Sequence, residues 1–346
     1  MLLDRIGFNA LVARAATALP LNDADALMRV VEVSRATCKV HDGSAMHDAR
    51  PLPVLERETP VVVGDWVVAT RDSHGALWLA ARIPPYTQLT RIAPSGERQA
   101  LVANVDFALL VMGLDGNFNL RRLERFIALV KSSGVTPVAV LTKVDLCADV
   151  AGRLDELADR IPGDLERYAV NATDADSLAC LSHHLGAGST GVLLGSSGAG
   201  KSTLTNTLLG EATQQTGPVR ESDSRGRHTT TTRQLHLLPA GACLIDTPGV
   251  RGLRLDIDAE SLDDAFGDIG ELAAQCRFRD CRHEQEPGCA VRAAVAPDRL
   301  ANYHKLRREI ARETASPLER ERARSRAKSQ ERGLRAVLNR KRGPRN

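Results

Sequence analysis

Residues 195–202 read Gly195-Ser196-Ser197-Gly198-Ala199-Gly200-Lys201-Ser202 and match the pattern G-x-x-x-x-G-K-[ST]. The apolar stretch 191–195 predicts a strand before this loop, and the pattern of 202–209 predicts a helix after it. Small residues let backbone N–H groups surround phosphate oxygens, and a helix N-terminus adds partial positive charge. Lys201 is expected to reach the β- and γ-phosphates, and Ser202 to bind Mg²⁺. The segment therefore predicts a nucleoside triphosphate site in an α/β domain.

A second motif, Asp246-Thr247-Pro248-Gly249, follows the apolar stretch 243–245 further along the chain. An acidic residue that ends a strand beside a phosphate loop can hold Mg²⁺, so Asp246 is a candidate magnesium ligand. The backbone N–H of Gly249 is expected to sense the γ-phosphate. In isolation these four residues would predict only a turn, but their position after a phosphate loop favours the nucleotide role.

The polar run 224–232 lies between these motifs and reads Ser-Arg-Gly-Arg-His-Thr-Thr-Thr-Thr. Its composition and position predict a switch loop in which Thr229 or Thr230 completes the Mg²⁺ shell when γ-phosphate is present. The alternative is a polar loop with no role in nucleotide binding. We favour the switch because of where the run lies, with Thr229 as the first candidate.

A base-reading element, Thr142-Lys143-Val144-Asp145, ends the apolar stretch 138–141 and fits the pattern [N/T]-K-x-D. The Asp145 carboxylate would accept two hydrogen bonds from guanine, which adenine cannot donate in that arrangement. The Lys143 stem would pack along the base. Asn171-Ala172, after a further predicted strand, is a weaker candidate for a backbone contact to the guanine O6. These residues predict GTP and GDP as ligands, and an ATP-dependent P-loop kinase or ATPase is the alternative.

The order of these elements is unusual, because the base-reading segment precedes the phosphate loop, whereas ordinary GTPases place it last. The chain must enter its sheet at a different point, which predicts a circularly permuted GTPase domain around a mostly parallel sheet. The candidate nucleotide-binding residues are Thr142, Lys143, Asp145, Asn171, Ala172, Gly195, Ser196, Ser197, Gly198, Ala199, Gly200, Lys201, Ser202, Thr203, Asp246 and Gly249.

Four potential metal ligands, Cys276, Cys281, His283 and Cys289, lie close together further along the chain. Three thiolates and one imidazole at this spacing suit a closed tetrahedral Zn²⁺ site with a structural, not a catalytic, role. The charged residues between them cannot build a core, so a bound ion is needed to fix the segment. Scattered core cysteines are the alternative.

Composition narrows the class of protein. Only 3% of the 346 residues are aromatic, which disfavours a broad stacking surface for single-stranded bases. We recognise neither a membrane span nor a signal peptide, and therefore expect a cytoplasmic protein without a membrane partner. Residues 304–346 carry fifteen Lys and Arg against five Glu, although the net charge of the chain is only +3. Such a tail predicts a polyanionic partner such as nucleic acid, and a solvated, partly disordered arm is the alternative.

Secondary structure is predicted from the periodicity of apolar residues. In the first ninety residues, short strands punctuated by Gly and Pro predict a small all-β barrel or sandwich. Further along, the pattern alternates between strand and helix, and it becomes helical and cysteine-rich after residue 258. The early strands are predicted at 29–40, 61–71 and 75–82, and helices at 120–132, 154–161, 177–185 and within 299–342.

Order and spacing of these motifs resemble the circularly permuted GTPases that depend on the small ribosomal subunit, the RsgA (YjeQ) family. The resemblance extends over nearly the whole chain and includes Gly64-Asp65-Trp66 and Ala103-Asn104-Val105-Asp106. Residues 1–28 are expected to form a helical extension. The resemblance implies an OB-fold (29–92), a permuted GTPase domain (93–257) and a zinc-binding domain with a basic helical tail (258–346). It further implies Mg²⁺ with GTP and one structural Zn²⁺ per chain. The protein would be a monomer that acts late in 30S ribosomal subunit assembly on 16S rRNA, with GTP hydrolysis stimulated by the subunit.

Three positions depart from what is common in GTPases. Thr142 stands where most of the family carries Asn, and Asn171 where Ser is common, which predicts modest nucleotide affinity. Val250 stands where many GTPases carry a Gln that orients water. We therefore expect slow intrinsic hydrolysis with assistance from the switch loop or the ribosome. The catalytic candidates are Lys201, Ser202, His228 and Thr229.

Alternatives remain for His228 and for the function as a whole. His228 could instead contact rRNA or be exposed to solvent. The protein could be an RNA-binding assembly module that uses GTP as a slow switch, with incidental turnover. A metalloenzyme is disfavoured, because the cysteine cluster leaves no open coordination position.

Overall fold

The structure, a computed structural model, describes residues 2–22, 24–34, 37–93, 95–161, 163–210, 233–247 and 254–314. The chain divides into two compact units, 1–294 and 295–346. The first contains a β-barrel followed by an α/β sheet. Within the ranges just given, no helix is both long and apolar enough to cross a membrane.

Among the described residues, a small barrel closes near the N-terminus. Its strands are β1 (Ala26–Val33), β2 (Cys38–His41), β3 (Met46–Pro51), β4 (Trp66–Arg71) and β5 (Leu77–Arg82). β1 pairs with β2 and β4, β3 pairs with β2 and β5, and the β4–β5 pair completes the closure. Val30, Val40 and Leu79 fill the interior and are fully buried, as alternation along the strands requires.

Two details of the barrel differ from the sequence-based expectation. A single strand over 29–40 is wrong, because a turn separates β1 from β2, with the Ser34 N–H donating to the Thr37 carbonyl. β3 is not predicted at all, since Ala49 is the one buried residue in it and apolar alternation is therefore missing.

The remaining described strands continue the first unit. They are β6 (Gln88–Ile92), β7 (Arg98–Ala103), β8 (Phe107–Gly113), β9 (Thr136–Thr142), β10 (Glu166–Ala169), β11 (Thr190–Gly195), β12 (Gln234–Leu237), β13 (Cys243–Asp246) and β14 (Arg254–Leu255). A parallel sheet has the order β10-β9-β8-β11-β13, and antiparallel β12 joins it to β1 of the barrel through Gln234 and Glu32. The predicted mostly parallel sheet is confirmed, and its carboxyl ends gather the loops after β9, β10, β11 and β13 at one edge.

α-Helices occur in both units of the described chain. They are α1 (Ala10–Ala16), α2 (Pro53–Glu58), α3 (Leu120–Ser132), α4 (Val150–Arg160), α5 (Lys201–Leu209), α6 (Ala259–Ala265), α7 (Gly267–Ala273), α8 (Ala290–Ala294) and α9 (Pro297–Thr314). The helix predicted at 120–132 is confirmed. The one predicted at 154–161 starts earlier, because the Asp149 side chain caps it by accepting from the Gly152 N–H.

Two further predicted helices differ from the observed ones in type or in extent. The segment 177–185 forms a 3-10 helix at Asp176–Leu181 and not the α-helix that was expected. Of the charged helices predicted within 299–342, α9 is the described part, and it lies in the second unit. Residues 315–346 lie outside the described ranges.

A small antiparallel sheet of β6, β7 and β14 follows the barrel. β14 comes shortly after the Asp246–Gly249 motif in sequence, and it pairs with β6 through Arg254 and Ile92. Asp256, just beyond β14, accepts a hydrogen bond from Thr90 at 2.9 Å and pairs with Arg98 at 3.0 Å. The segment after the motif is therefore fixed to strands that precede the GTPase sheet.

Arg29 on β1 is fully buried and joins four parts of the first unit. Its guanidinium donates to the carbonyls of Ile6, Gly64 (3.4 Å) and Asn104 (2.9 Å) and to the Thr190 hydroxyl (2.9 Å). The N-terminal segment, the barrel, the segment between β7 and β8 and the first residue of β11 thus share one cation. A buried charge is tolerated only when its hydrogen bonds are satisfied and counter-charge is near.

We predict that Arg29→Met destabilises the first unit by about 3 kcal/mol or more, because several buried carbonyls lose their donor together. The measurement is the thermal or urea unfolding midpoint of the full chain. Arg71→Met is the matched control, since Arg71 lies exposed at the end of β4. Equal midpoints for the two variants would contradict a joining role for Arg29.

Candidate functional site

The phosphate loop connects β11 to α5, as predicted. β11 is buried along its whole length, and α5 begins at Lys201. Gly200 has a φ of +93°, a left-handed conformation that glycine adopts without strain. A Cβ on Gly195 would lie 2.3 Å from the Val111 carbonyl oxygen, so the loop can only begin here with a glycine. These constraints explain two glycines of the motif by backbone geometry alone.

Lys201 lies at the centre of this loop and is buried. Its Nζ donates to the carbonyls of Gly195 at 3.0 Å and Ser196 at 2.9 Å. Burial lowers the pKa of this amine to about 8, an effect that the nearby Asp246 carboxylate partly opposes. The amine is thus held inside the loop, in the position from which it can exchange carbonyls for phosphate oxygens.

Asp246 ends β13 beside the loop, in register with Leu193 of β11. The adjacent Thr247 is buried, and its hydroxyl donates to the Leu193 carbonyl at 2.6 Å. Ser202 lies on the first turn of α5 and is half-buried. A hydroxyl and a carboxylate are the hard oxygen donors that Mg²⁺ prefers, so this pair fits the ion that a GTPase requires.

The base-reading segment lies directly beside the phosphate loop, although it precedes it in the chain. Thr142, fully buried at the end of β9, donates its hydroxyl to the Ala199 carbonyl at 2.6 Å. Gly200 is close as well, since a Cβ there would meet the Thr142 Oγ1 at 3.2 Å. Thr142 therefore ties the base-reading segment to the phosphate loop, a role that its sequence pattern does not reveal.

Lys143 and Asp145 have different environments. Lys143 adopts a left-handed φ of +62°, and its Nζ lies 2.6 Å from the Asp115 carboxylate. Burial acts to raise the pKa of Asp115, but the hydrogen bonds from Lys143 and Asn117 and the charge of Lys143 together outweigh burial and lower the pKa. Asp145 is exposed, so its carboxylate is accessible to a base. Asp115 was missed by sequence reasoning, and the available signal was an acidic residue shortly after the apolar strand β8.

The segment Asn171-Ala172 follows β10 at the same edge of the sheet. The Asn171 Oδ1 accepts from the backbone N–H of Thr173 at 3.1 Å and from its hydroxyl at 2.8 Å, which makes a local turn. The Ala172 carbonyl accepts from Thr207 of α5 at 2.7 Å. The loop is thereby fastened to the helix that follows the phosphate loop.

Some predicted site residues lie outside the described ranges. These are His228 and Thr229 of the predicted switch loop, Gly249 at the end of the second motif, and Val250 directly after it. Their assigned roles stay predictions.

The cysteine cluster lies between α7 and α8 in the first unit. The Cys276 Sγ is 3.6 Å from the His283 Nδ1 and 3.9 Å from the Cys289 Sγ. The Cys289 Sγ is 3.4 Å from the His283 Nδ1. With Cys281, all four ligand atoms lie within 4.8 Å of one another. A tetrahedral Zn²⁺ site places neighbouring sulfurs about 3.8 Å apart and sulfur and nitrogen about 3.5 Å apart. The four residues therefore fit a zinc ion.

The phosphate loop and the base-reading segment adjoin in space, and the base-reading segment comes first in sequence. This arrangement defines a circularly permuted P-loop GTPase. Residues 83–256 match the family model described as RsgA GTPase, and this range contains the nucleotide motifs. The chain belongs to the RsgA GTPase family and is therefore a hydrolase that acts on GTP. The family resemblance seen in the sequence is confirmed.

Individual relatives agree with this assignment. The small ribosomal subunit biogenesis GTPase RsgA of Xylella fastidiosa (strain 9a5c) is 53% identical over 262 residues, which cover 73% of this chain and 75% of the relative. The protein of the same name from Xanthomonas axonopodis pv. citri (strain 306) is 48% identical over 301 residues, covering 82% and 80%.

Solved structures show the same fold. YjeQ from Thermotoga maritima matches with a TM-score of 0.62 at 26% identity, over 83% of this chain and 98% of its own. YloQ, described as a circularly permuted GTPase, matches with a TM-score of 0.59 at 26% identity, over 86% and 100%. The predicted permutation is thereby confirmed.

We predict that Thr142→Val weakens GDP binding about tenfold, because the buried Ala199 carbonyl loses its donor and the two loops lose their connection. The measurement is the Kd of a fluorescent GDP analogue. Thr136→Val is the matched control, since Thr136 is exposed at the other end of β9. If the two variants bind with equal affinity, Thr142 does not hold the site together.

We predict that Cys276→Ser removes the zinc that stays bound after dialysis and lowers the thermal unfolding midpoint, because the segment between α7 and α8 has little apolar core of its own. Zinc content per chain and thermal unfolding are measured together. Cys147→Ser serves as the control, since Cys147 lies outside the cluster. Retention of a full zinc equivalent in Cys276→Ser would contradict the assignment.

Proposed function

We propose that this protein hydrolyses GTP to GDP and phosphate during late assembly of the small (30S) ribosomal subunit, and that the subunit stimulates the reaction. The observation that carries the proposal is the name of its relatives, small ribosomal subunit biogenesis GTPase RsgA, at 48–53% identity. The nucleotide site described above supplies the activity. The ribosomal partner is inferred from the names of these relatives.

Each nucleotide-site residue has a role in this proposal. Asp145 reads the guanine edge, and Lys143, paired with Asp115, lies along the base. Lys201 exchanges the loop carbonyls for β- and γ-phosphate oxygens. The negative charge of the phosphates then raises the pKa of the Lys201 amine, which burial lowers in their absence. Ser202 and Asp246 hold Mg²⁺, directly or through water. The ion would neutralise charge that develops on the phosphates.

Phosphoryl transfer depends mainly on positioning and charge stabilisation. Lys201 is already desolvated, and Thr142 fixes the loop that surrounds the phosphates. Val250 cannot orient a water, so intrinsic hydrolysis is expected to be slow. We propose that Thr229 completes the Mg²⁺ shell and that His228 or the ribosome assists the attacking water.

The remaining parts of the chain are proposed to bind RNA or support that binding. The barrel over 29–92 is proposed to be an OB-fold, a class that binds oligonucleotides, and 93–257 the permuted GTPase domain. Residues 258–346 would form a zinc-binding domain with a basic tail that contacts 16S rRNA phosphates. We propose that the protein acts in the cytoplasm as a monomer and that residues 1–28 form a helical extension.

A second candidate function is an RNA-binding assembly module for which GTP is a slow switch. Val250, with no side-chain group for water, favours this alternative. In that case, GTP would control binding to the subunit, while hydrolysis would be too slow to accompany each assembly cycle.

We predict that purified 30S subunits increase the rate of phosphate release from GTP at least tenfold and leave ATP unhydrolysed. The assay measures phosphate release with each nucleotide, with and without 30S. Lys201→Ala is the control for contaminating activity, and it should abolish the stimulated rate. GTP-dependent binding to 30S without stimulated turnover would favour the switch module. Absence of both binding and stimulation would overturn the ribosomal proposal.

A further inference from the structure

Three potential metal ligands meet on the surface of the GTPase sheet, away from the cysteine cluster. Glu166 is the first residue of β10, while His183 and His184 lie in the turn after the 3-10 helix Asp176–Leu181. The His183 Nε2 is 3.0 Å and the His184 Nε2 is 3.2 Å from the same atom, the Glu166 Oε2. Two imidazoles that are adjacent in sequence therefore converge on one carboxylate oxygen.

The spacing of these atoms is close to that of a coordination shell. Zinc bound at about 2.0–2.1 Å by two imidazoles and a carboxylate sets neighbouring ligand atoms about 3.3 Å apart in a tetrahedron. The ligand atoms of Glu166, His183 and His184 all lie within 4.8 Å of one another. The ring centroids of the two histidines are 3.9 Å apart, so an ion between them requires the rings to separate further. His183 is half-exposed and can make this adjustment.

The neighbours of the cluster hold its other members in place. The His184 side chain is only 11% exposed and packs against the ring of Phe107 at a centroid distance of 5.5 Å. The Tyr168 hydroxyl donates to the Glu166 Oε2 at 2.6 Å and thereby orients the carboxylate. A hydrogen-bonded partner behind a ligating carboxylate is a usual feature of metal sites.

We propose that Glu166, His183 and His184 form a second metal site, which binds a borderline divalent ion of the Zn²⁺ type, with water in the remaining position. Two nitrogens and one oxygen match the preference of such ions, whereas Mg²⁺ and Ca²⁺ favour oxygen ligands. Glu166 lies at the amino end of β10, and the nucleotide segments follow the carboxyl ends of their strands. The ion would therefore clamp the turn at 182–184 to the outermost strand and take no part in GTP hydrolysis.

The test uses Co²⁺ as the probe and the full-length protein with its cysteine cluster filled with zinc. Co²⁺ is titrated into wild type, His183→Gln/His184→Gln, Glu166→Gln and His74→Gln, with visible d–d absorption as the readout. His74→Gln is the matched control, because His74 is an exposed histidine in a barrel turn. GTP hydrolysis is measured for each variant and should remain unchanged, which shows that each variant is folded.

We expect wild type and His74→Gln to bind one Co²⁺ more than the double variant does. The d–d bands of this additional ion should lack sulfur-to-cobalt charge transfer. Glu166→Gln should weaken its affinity about tenfold or more, because even the loss of a ligand's hydrogen-bonded partner costs about 10–100-fold. Identical titrations for wild type and the double variant would overturn the proposal, whatever the zinc content of the cysteine cluster. So would a wild-type signal whose difference from the double variant is a thiolate band.

Discussion

Parallel pairing of β8, β9, β11 and β13 is the constraint on which the rest of this structure depends. A parallel sheet places every carboxyl end at one edge, so the loops that follow its strands meet there whatever their order along the chain. The Thr142 hydroxyl then bonds to the Ala199 carbonyl across that edge, at 2.6 Å. A circular permutation leaves such a site intact, because the site depends on which strands are neighbours and not on which comes first. What the permutation changes is the segment that follows Asp246, which here leads out of the sheet to β14 and the cysteine cluster.

Buried charge connects the GTPase sheet to the barrel. Arg29 donates to groups of the N-terminal segment, the barrel and β11, while β1 also pairs with β12. A cation removed from water costs several kcal/mol unless its donors are all used, which is why this one serves so many acceptors. The arrangement makes the barrel and the sheet one structural unit. Asp256 similarly fixes the segment after the Asp246 motif, through Thr90 and Arg98.

Four potential metal ligands lie together where the chain has few apolar residues to bury. Between α7 and α8 most side chains are exposed, and the buried residues there are His283 and Cys289. A Zn²⁺ ion bound by four side chains would supply folding free energy that the segment cannot obtain from a core. The Glu166, His183 and His184 cluster differs, because it lies on a sheet that is already well packed. Its ion would add local rigidity and would not be needed for folding.

The sequence alone determined the parts of this protein whose chemistry is local. A phosphate loop, a candidate guanine-reading carboxylate and a potential Cys3His ligand set each need fixed residue types at short spacing. Each of the segments 195–202, 142–145 and 276–289 can therefore be recognised from its own sequence. Periodicity also located most strands of the sheet, since β8, β9, β11 and β13 are largely buried apolar runs. It missed β3, β6, β7 and β12, because strands that are partly exposed carry no clear apolar alternation, and it merged β1 and β2 into one strand.

Only the tertiary structure decided which distant residues meet. Several contacts join positions that are far apart in sequence: Thr142 with Ala199, Lys143 with Asp115, and Arg29 with Asn104 and Thr190. No local pattern encodes these contacts, since a threonine or an aspartate has the same local signature whether or not a partner faces it. The convergence of His183 and His184 on Glu166 is of the same kind. It follows from the position of one turn against an edge strand, and strand order is a property of the folded sheet.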